Sequence, residues 1–199
     1  MVRAGTLPLR LLALSYGADT VWGEEIVDRR IIGAQRIENT LLGTIDYVSA
    51  GALAFRTCAA ERGRIIFQIG TSDPSYALAA ARTVERDVAA IDINMGCPKR
   101  FSLQGNMGAA LLSCPALACD IVRAVATGVS VPVSAKIRLL ESVSETVELA
   151  KQLEQAGAAA LTVHARYRGT ASQEPAMWEH IKPLVEASPV LPACHRSLL

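Results

Sequence analysis

Apolar residues along the chain gather in short runs separated by longer stretches of helical spacing. Residues 20–26, 64–70, 90–94, 131–137 and 160–164 are rich in Val, Ile and Ala and read as buried parallel strands, apolar on both faces. Between them lie helices with recognisable ends. Asp73-Pro74 opens one that carries Ala77, Ala81, Val84 and Val88. Ser113 and Pro115 open a second, with Leu117, Ile121 and Val125 on one face and Gly128 after its end. Ser142 and Glu145 form the capping box of a third, which carries Val147, Ala150 and Leu153 and is closed by Gly157. A first helix has Pro8 in its first turn, Leu11, Leu12 and Leu14 as its apolar face and Gly17 as its stop. Strand starts are spaced compatibly with units of about 30 residues, as in a (β/α)8 TIM barrel. A sixth strand-like run, 189–191, precedes the last residues. The pattern predicts an α/β fold, a TIM barrel incomplete at both ends.

Composition narrows the function classes. The chain has 199 residues, 51% hydrophobic, which suits one domain with one core and excludes disorder. Twenty basic residues face nineteen acidic ones, so no global basic field marks a nucleic-acid binder. The longest window without a charged residue, 101–119, is too polar for a membrane span. Five cysteines, Cys58, Cys97, Cys114, Cys119 and Cys194, form no C-x-x-C pair and have no histidine at ligand spacing. That argues against a disulfide framework and a zinc site, and for a reducing compartment: the cytoplasm, with an organelle matrix as the alternative.

The polar residues point to chemistry. Gln68, Asn94, Cys97, Lys136, Arg138, His164 and Arg166 fall at or just beyond the C-terminal ends of predicted strands, the catalytic rim of a β/α barrel. Among them, Asn94-Met95-Gly96-Cys97-Pro98-Lys99 is followed by the glycine-rich run 105–112. Gly96 permits a tight exit from the strand and Pro98 stiffens the next step, so Cys97 is presented at a strand end beside Lys99 and Arg100. A thiol with a pKa of about 8.5 serves as an acid near neutrality. A buried structural cysteine is the competing reading. Glu24-Glu25 reads as one carboxylate that orients a neighbour and one that is solvated. Arg29-Arg30 and Arg166 with Arg168 are candidate phosphate contacts, though isolated arginines are usually plain surface. Met177 and Trp178 read as helix packing.

NMGCPK with GNMGAALL, together with FQIGTSD, AKIR and VHAR in the same order, resembles the tRNA-dihydrouridine synthase family, in particular its eukaryotic branch acting on uridine 20. The resemblance covers the chain from Met1 to about Leu191. It implies a flavoprotein oxidoreductase that binds FMN, takes electrons from NADPH and reduces a D-loop uridine of tRNA to 5,6-dihydrouridine. By the same resemblance Cys97 is the general acid, Met1, Gln68, Lys136 and His164 contact FMN, and Asn94, Arg138 and Arg166 handle the uracil. No metal and no membrane partner is implied. No dinucleotide G-x-G-x-x-G fingerprint is present, so NADPH is expected over the flavin.

Against the family pattern, most of barrel strand 1 and all of strand 8 are expected to be missing. Residues 1–191 then form a partial FMN-binding barrel and 192–199 a divergent tail, with the C-terminal tRNA-binding domain absent. Two other readings stay open: a catalytically silent fragment that binds RNA or a partner, and a flavin barrel acting on a free pyrimidine.

Overall fold

A computed structural model describes residues 5–170, 173–187 and the backbone of 193–194. Five of the apolar runs become parallel strands: β1 (Val21–Val27), β5 (Ile65–Gly70), β6 (Ala90–Met95), β7 (Val133–Leu139) and β8 (Ala160–Tyr167). A short β9 (Ala193–Cys194) pairs with β8, so the described sheet has six strands in the order β1-β5-β6-β7-β8-β9. The predicted run 189–191 lies outside the described residues. Between the strands stand α1 (Leu7–Ser15), α2 (Asp28–Ile31), α3 (Pro74–Val84), α4 (Arg100–Gln104), α5 (Pro115–Gly128), α6 (Val143–Gln155) and α7 (Ile181–Ala187). This is the α/β architecture of a β/α barrel, with the described sheet open rather than closed.

Helix ends follow local chemistry. Asp73 accepts from the backbone N–H groups of Ser75 and Tyr76 at the start of α3, and Ser142 and Glu145 complete a reciprocal capping box on α6. Helix α5 begins at Pro115 as expected, but its N-cap is Cys114, without a side-chain cap, and Gly128 is its last residue rather than the one after it. In α1 the buried side chain is Arg10, while Leu12 is exposed. An arginine goes inside there because Glu61, fully buried, meets it with both carboxylate oxygens, at 2.6 and 2.8 Å.

The sequence pattern does not predict the second sheet. Antiparallel β2 (Gln35–Asn39), β3 (Thr44–Ser49) and β4 (Ala52–Cys58) follow α2. The β3–β4 hairpin turns through Ala50 and Gly51, both at positive φ, as a two-residue turn requires when its twist matches the strands. Phe55 of β4 packs edge-to-face on Phe67 of β5, with ring centroids 4.9 Å apart. Tyr47 of β3 donates to Asp87 Oδ2 (2.6 Å) and Arg36 of β2 reaches the same carboxylate. The small sheet is thereby fastened to the large one.

The strands differ from expectation in one respect that matters for the site: only one face is apolar. Ile65, Phe67 and Ile69, Ile91, Ile93 and Met95, and Val133, Ala135 and Ile137 alternate along β5–β7 and form the core. Helices α3, α5 and α6 pack against these strands. The alternate positions form a second, largely polar face.

Candidate active site

Strand register sorts the polar face into rows. Glu25, Gln68, Asp92 and Ser134 are neighbours across β1, β5, β6 and β7. One level nearer the C-terminal ends, Asn94, Lys136 and Thr162 are neighbours, and above them Arg138 faces His164. Four strands thus bring Gln68, Asn94, Lys136, Arg138 and His164 onto one surface. Arg166 joins it at the end of β8: its Nη1 lies 3.1 Å from His164 Nε2 and its Nε donates to the Glu174 carbonyl. Met1 lies outside the described residues.

Cys97 follows β6 by two residues and is half-buried. Asn94 holds its loop, with Oδ1 accepting from the backbone N–H groups of Gly96 (2.9 Å) and Cys97 (3.2 Å). The Cys97 carbonyl accepts from Ala109 N–H at 2.9 Å, which ties the loop to the glycine-rich segment. Gly108 is required there: its φ is +59°, and a Cβ would stand 2.7 Å from the Cys97 carbonyl oxygen. Arg138 closes the other side by donating to the carbonyls of Gly96 (2.8 Å) and Tyr167 (3.0 Å). The Asn94 carbonyl oxygen is committed to this loop, so its amide N–H groups are what it offers to other partners, Glu25 among them.

A pocket of about 760 Å³ opens at Cys97, walled by Glu24, Glu25, Arg30, Lys99 and Phe101 among others. Of the described residues expected at the site, Cys97 alone lines it. A second depression of about 790 Å³, between Leu112, Leu149 and Tyr167, contains none of them.

The electrostatics of the rows follow from burial. Asp92 is fully buried, and burial pushes its carboxyl pKa up against the hydrogen bonds from Gln68 and Ser134. Burial likewise raises Glu25, opposed by the Asn94 bond and by Lys136. It pulls the Lys136 ammonium down, with Asp92 the strongest influence holding it up. Arg138 is lowered by burial and by the neighbouring Arg166 cation. The sequence pattern does not single out Asp92, Ser134 and Thr162. Their one signal there is a polar residue at every second position of an apolar run.

A family model described as Dihydrouridine synthase (Dus) matches residues 1–194. The chain belongs to the dihydrouridine synthase family. It is 43% identical over 198 residues to the tRNA-dihydrouridine(20) synthase of Saccharomyces cerevisiae, a match covering 94% of this chain and 52% of the yeast protein. The tRNA-dihydrouridine(20) synthase of Schizosaccharomyces pombe is 40% identical over 194 residues, covering 93% and 40%. A tRNA-dihydrouridine(16/17) synthase of S. cerevisiae is 35% identical over 191 residues, covering 95% and 43%. All three names carry NAD(P)+. This dihydrouridine synthase chain therefore spans about half the length, or less, of these relatives. Among its described residues no helix is long and apolar enough to cross a membrane, and no group of three or more His, Cys, Asp or Glu is placed to hold a metal ion.

Proposed function

We propose that this chain carries the FMN site and general acid of a tRNA uridine reductase that uses NADPH and acts on uridine 20. The observation that supports it most is the polar face itself, five candidate residues in three adjoining rows with Cys97 held at their upper edge. The 43% and 40% identities to two uridine-20 synthases support the finer position over 16/17, where identity is 35%.

The residues fit a flavin. Lys136 is partly buried on the polar face and its side chain makes no hydrogen bond among the described residues. Beside it in register, Thr162 Oγ1 is buried with no partner. A cation and an orphaned hydroxyl on one level, with the Gln68 amide on the next, match the mixed carbonyl and N–H edge of an isoalloxazine. Lys136 would hold the edge where negative charge gathers, and Gln68 and His164 would orient the ring. When bound, FMN reduced by NADPH supplies hydride to C6 of the uracil.

The other half of the reaction belongs to the chain. The Cys97 thiol gives its proton to C5 from the opposite side of the uracil ring. Arg138 and Arg166 present cationic donors to the uracil carbonyls, and Asn94 adds an amide N–H while its oxygen fixes the Cys97 loop. A positioned acid contributes typically 10²–10⁴-fold. Cys97→Ala is therefore expected to slow dihydrouridine formation by roughly 10²-fold or more, while FMN still binds and is still bleached by NADPH. The assay is mass spectrometry of a tRNA transcript incubated with chain, FMN and NADPH. A transcript left unmodified by the wild-type chain, or modified equally well by the variant, refutes the reading. Reduction at 16 or 17 instead of 20 refutes the position alone.

A further inference from the structure

The row Gln68–Asp92–Ser134 crosses three strands, and all three residues are buried. Each Asp92 oxygen receives one donor: Gln68 Nε2 at 2.7 Å on Oδ2, and Ser134 Oγ at 2.6 Å on Oδ1. The Gln68 amide turns its NH2 inward, where the Asp92 oxygen accepts from it. The Gln68 carbonyl oxygen is then the atom left over, and it makes no hydrogen bond among the described residues.

We propose that Asp92 is a positioning residue: it fixes the Gln68 amide with its oxygen turned to the ligand side, so that the site presents an acceptor there and recognises an N–H of the cofactor. Ser134 assists by holding the second carboxylate oxygen, which keeps the carboxylate plane aligned with Gln68. The assignment rests on the FMN reading above and goes beyond it by giving Gln68 a direction. A free amide offers donor and acceptor with nearly equal ease; one locked against a carboxylate offers a single sign.

The test is titration of FMN into the ligand-free chain, followed by quenching of flavin fluorescence, so that no turnover is needed. In Asp92→Asn the new amide can pair with Gln68 in either sense, and the orientation is lost. Binding is expected to weaken about tenfold, the worth of one misdirected hydrogen bond. In a Gln68→Ala background the same change is expected to alter affinity less than twofold, because there is no longer an amide to orient. Ser134→Ala keeps the carboxyl group and the Gln68 bond and is expected to cost two- to threefold, which supplies a second measurement should Asp92→Asn fail to fold. Wild-type affinity in both single variants, or the full loss persisting without Gln68, overturns the role of Asp92. A wild-type chain that does not bind FMN overturns the cofactor assignment and this inference with it, whereas binding that ignores Asp92 and Ser134 overturns only the latter.

Discussion

Two carboxylates, Asp87 buried and Glu25 half-buried, show how partners decide the sign of a titration. At Asp87 burial pushes the pKa up, but hydrogen bonds from Arg36 and Tyr47 outweigh it and the carboxyl ends below its usual range. At Glu25 burial wins over the Asn94 bond and the more distant Lys136, and the carboxyl ends above it. The folded protein therefore holds a proton on Glu25 longer than the unfolded chain does. Below the ordinary carboxylate value both states are protonated and there is no cost. As pH rises from that value to the raised one, the unfolded chain ionises first and stability falls, then levels off. Glu25→Gln keeps an acceptor for Asn94 and removes the titration. Its melting temperature is expected to gain on wild type steadily across that window and to hold the gain at neutral pH, as circular dichroism would read. A gap that does not widen with pH would show that Glu25 does not titrate as described. That Cys97, Lys136 and Arg138 sit together at the strand ends is legible in the sequence, because a reactive or charged type at the end of an apolar run has few structural reasons to be there. The role of Asp92 is not, because an acid inside an apolar run becomes meaningful only when Gln68 and Ser134, 24 and 42 residues away, are laid beside it.

Among the elements, those legible in the sequence carry their instructions locally. The capping box of α6 and the Asp73 cap of α3 lie within three residues of the groups they bind, and β5–β8 are marked by short apolar runs. The three-stranded sheet has no such mark. Arg36, Glu38, Asp46 and Arg56 interrupt its strands, and what makes them tolerable is pairing at a distance: Arg36 with Asp87, 51 residues on, and Arg56 with Asp46 across the β3–β4 ladder. The same dependence on non-local contact governs the 3-10 segment Gly108–Ser113, whose first residue abuts the Cys97 carbonyl. Gly108→Ala combines a left-handed backbone with a clash against main chain. It is expected to cost roughly 1–3 kcal/mol and to shift the Cys97 loop. Peptide-resolved alkylation by iodoacetamide should show a changed rate at Cys97 with Cys58 unaffected. Equal rates at Cys97 would mean that the loop keeps its place without the glycine.

For the whole molecule, the Arg10–Glu61 pair is the long-range clasp. It joins α1 to the turn after β4, and Arg10 also donates to the carbonyls of Arg56 (2.7 Å) and Gly5. Both charges are almost completely removed from water, so the loss of one strands the other. Arg10→Met is expected to destabilise the fold by about 3–5 kcal/mol, a fall of roughly 10 °C in Tm for a domain of this size. Arg10→Lys should recover little, since an ammonium cannot meet both Glu61 oxygens as the guanidinium does. A Tm within a degree or two of wild type for Arg10→Met would show that α1 is held by its apolar contacts instead.

The two faces of the large sheet have a consequence for how the chain can change over time. Along β5 to β8 the outward, core-forming positions bear odd numbers (Ile65, Phe67, Ile91, Ile93, Val133, Ala135, Ile137, Leu161, Val163) and the polar ones even numbers (Gln68, Asp92, Asn94, Ser134, Lys136, Arg138, Thr162, His164). The apolar core and the polar face proposed to bind the ligand occupy interleaved positions that share almost no residue. Aliphatic exchanges of similar volume at the odd positions can accumulate while the ligand surface stays as it was. Changes at the even ones can retune what is bound without emptying the core. A lineage can drift in one set while selection holds the other, and an insertion of a single residue in any of these strands would scramble both at once.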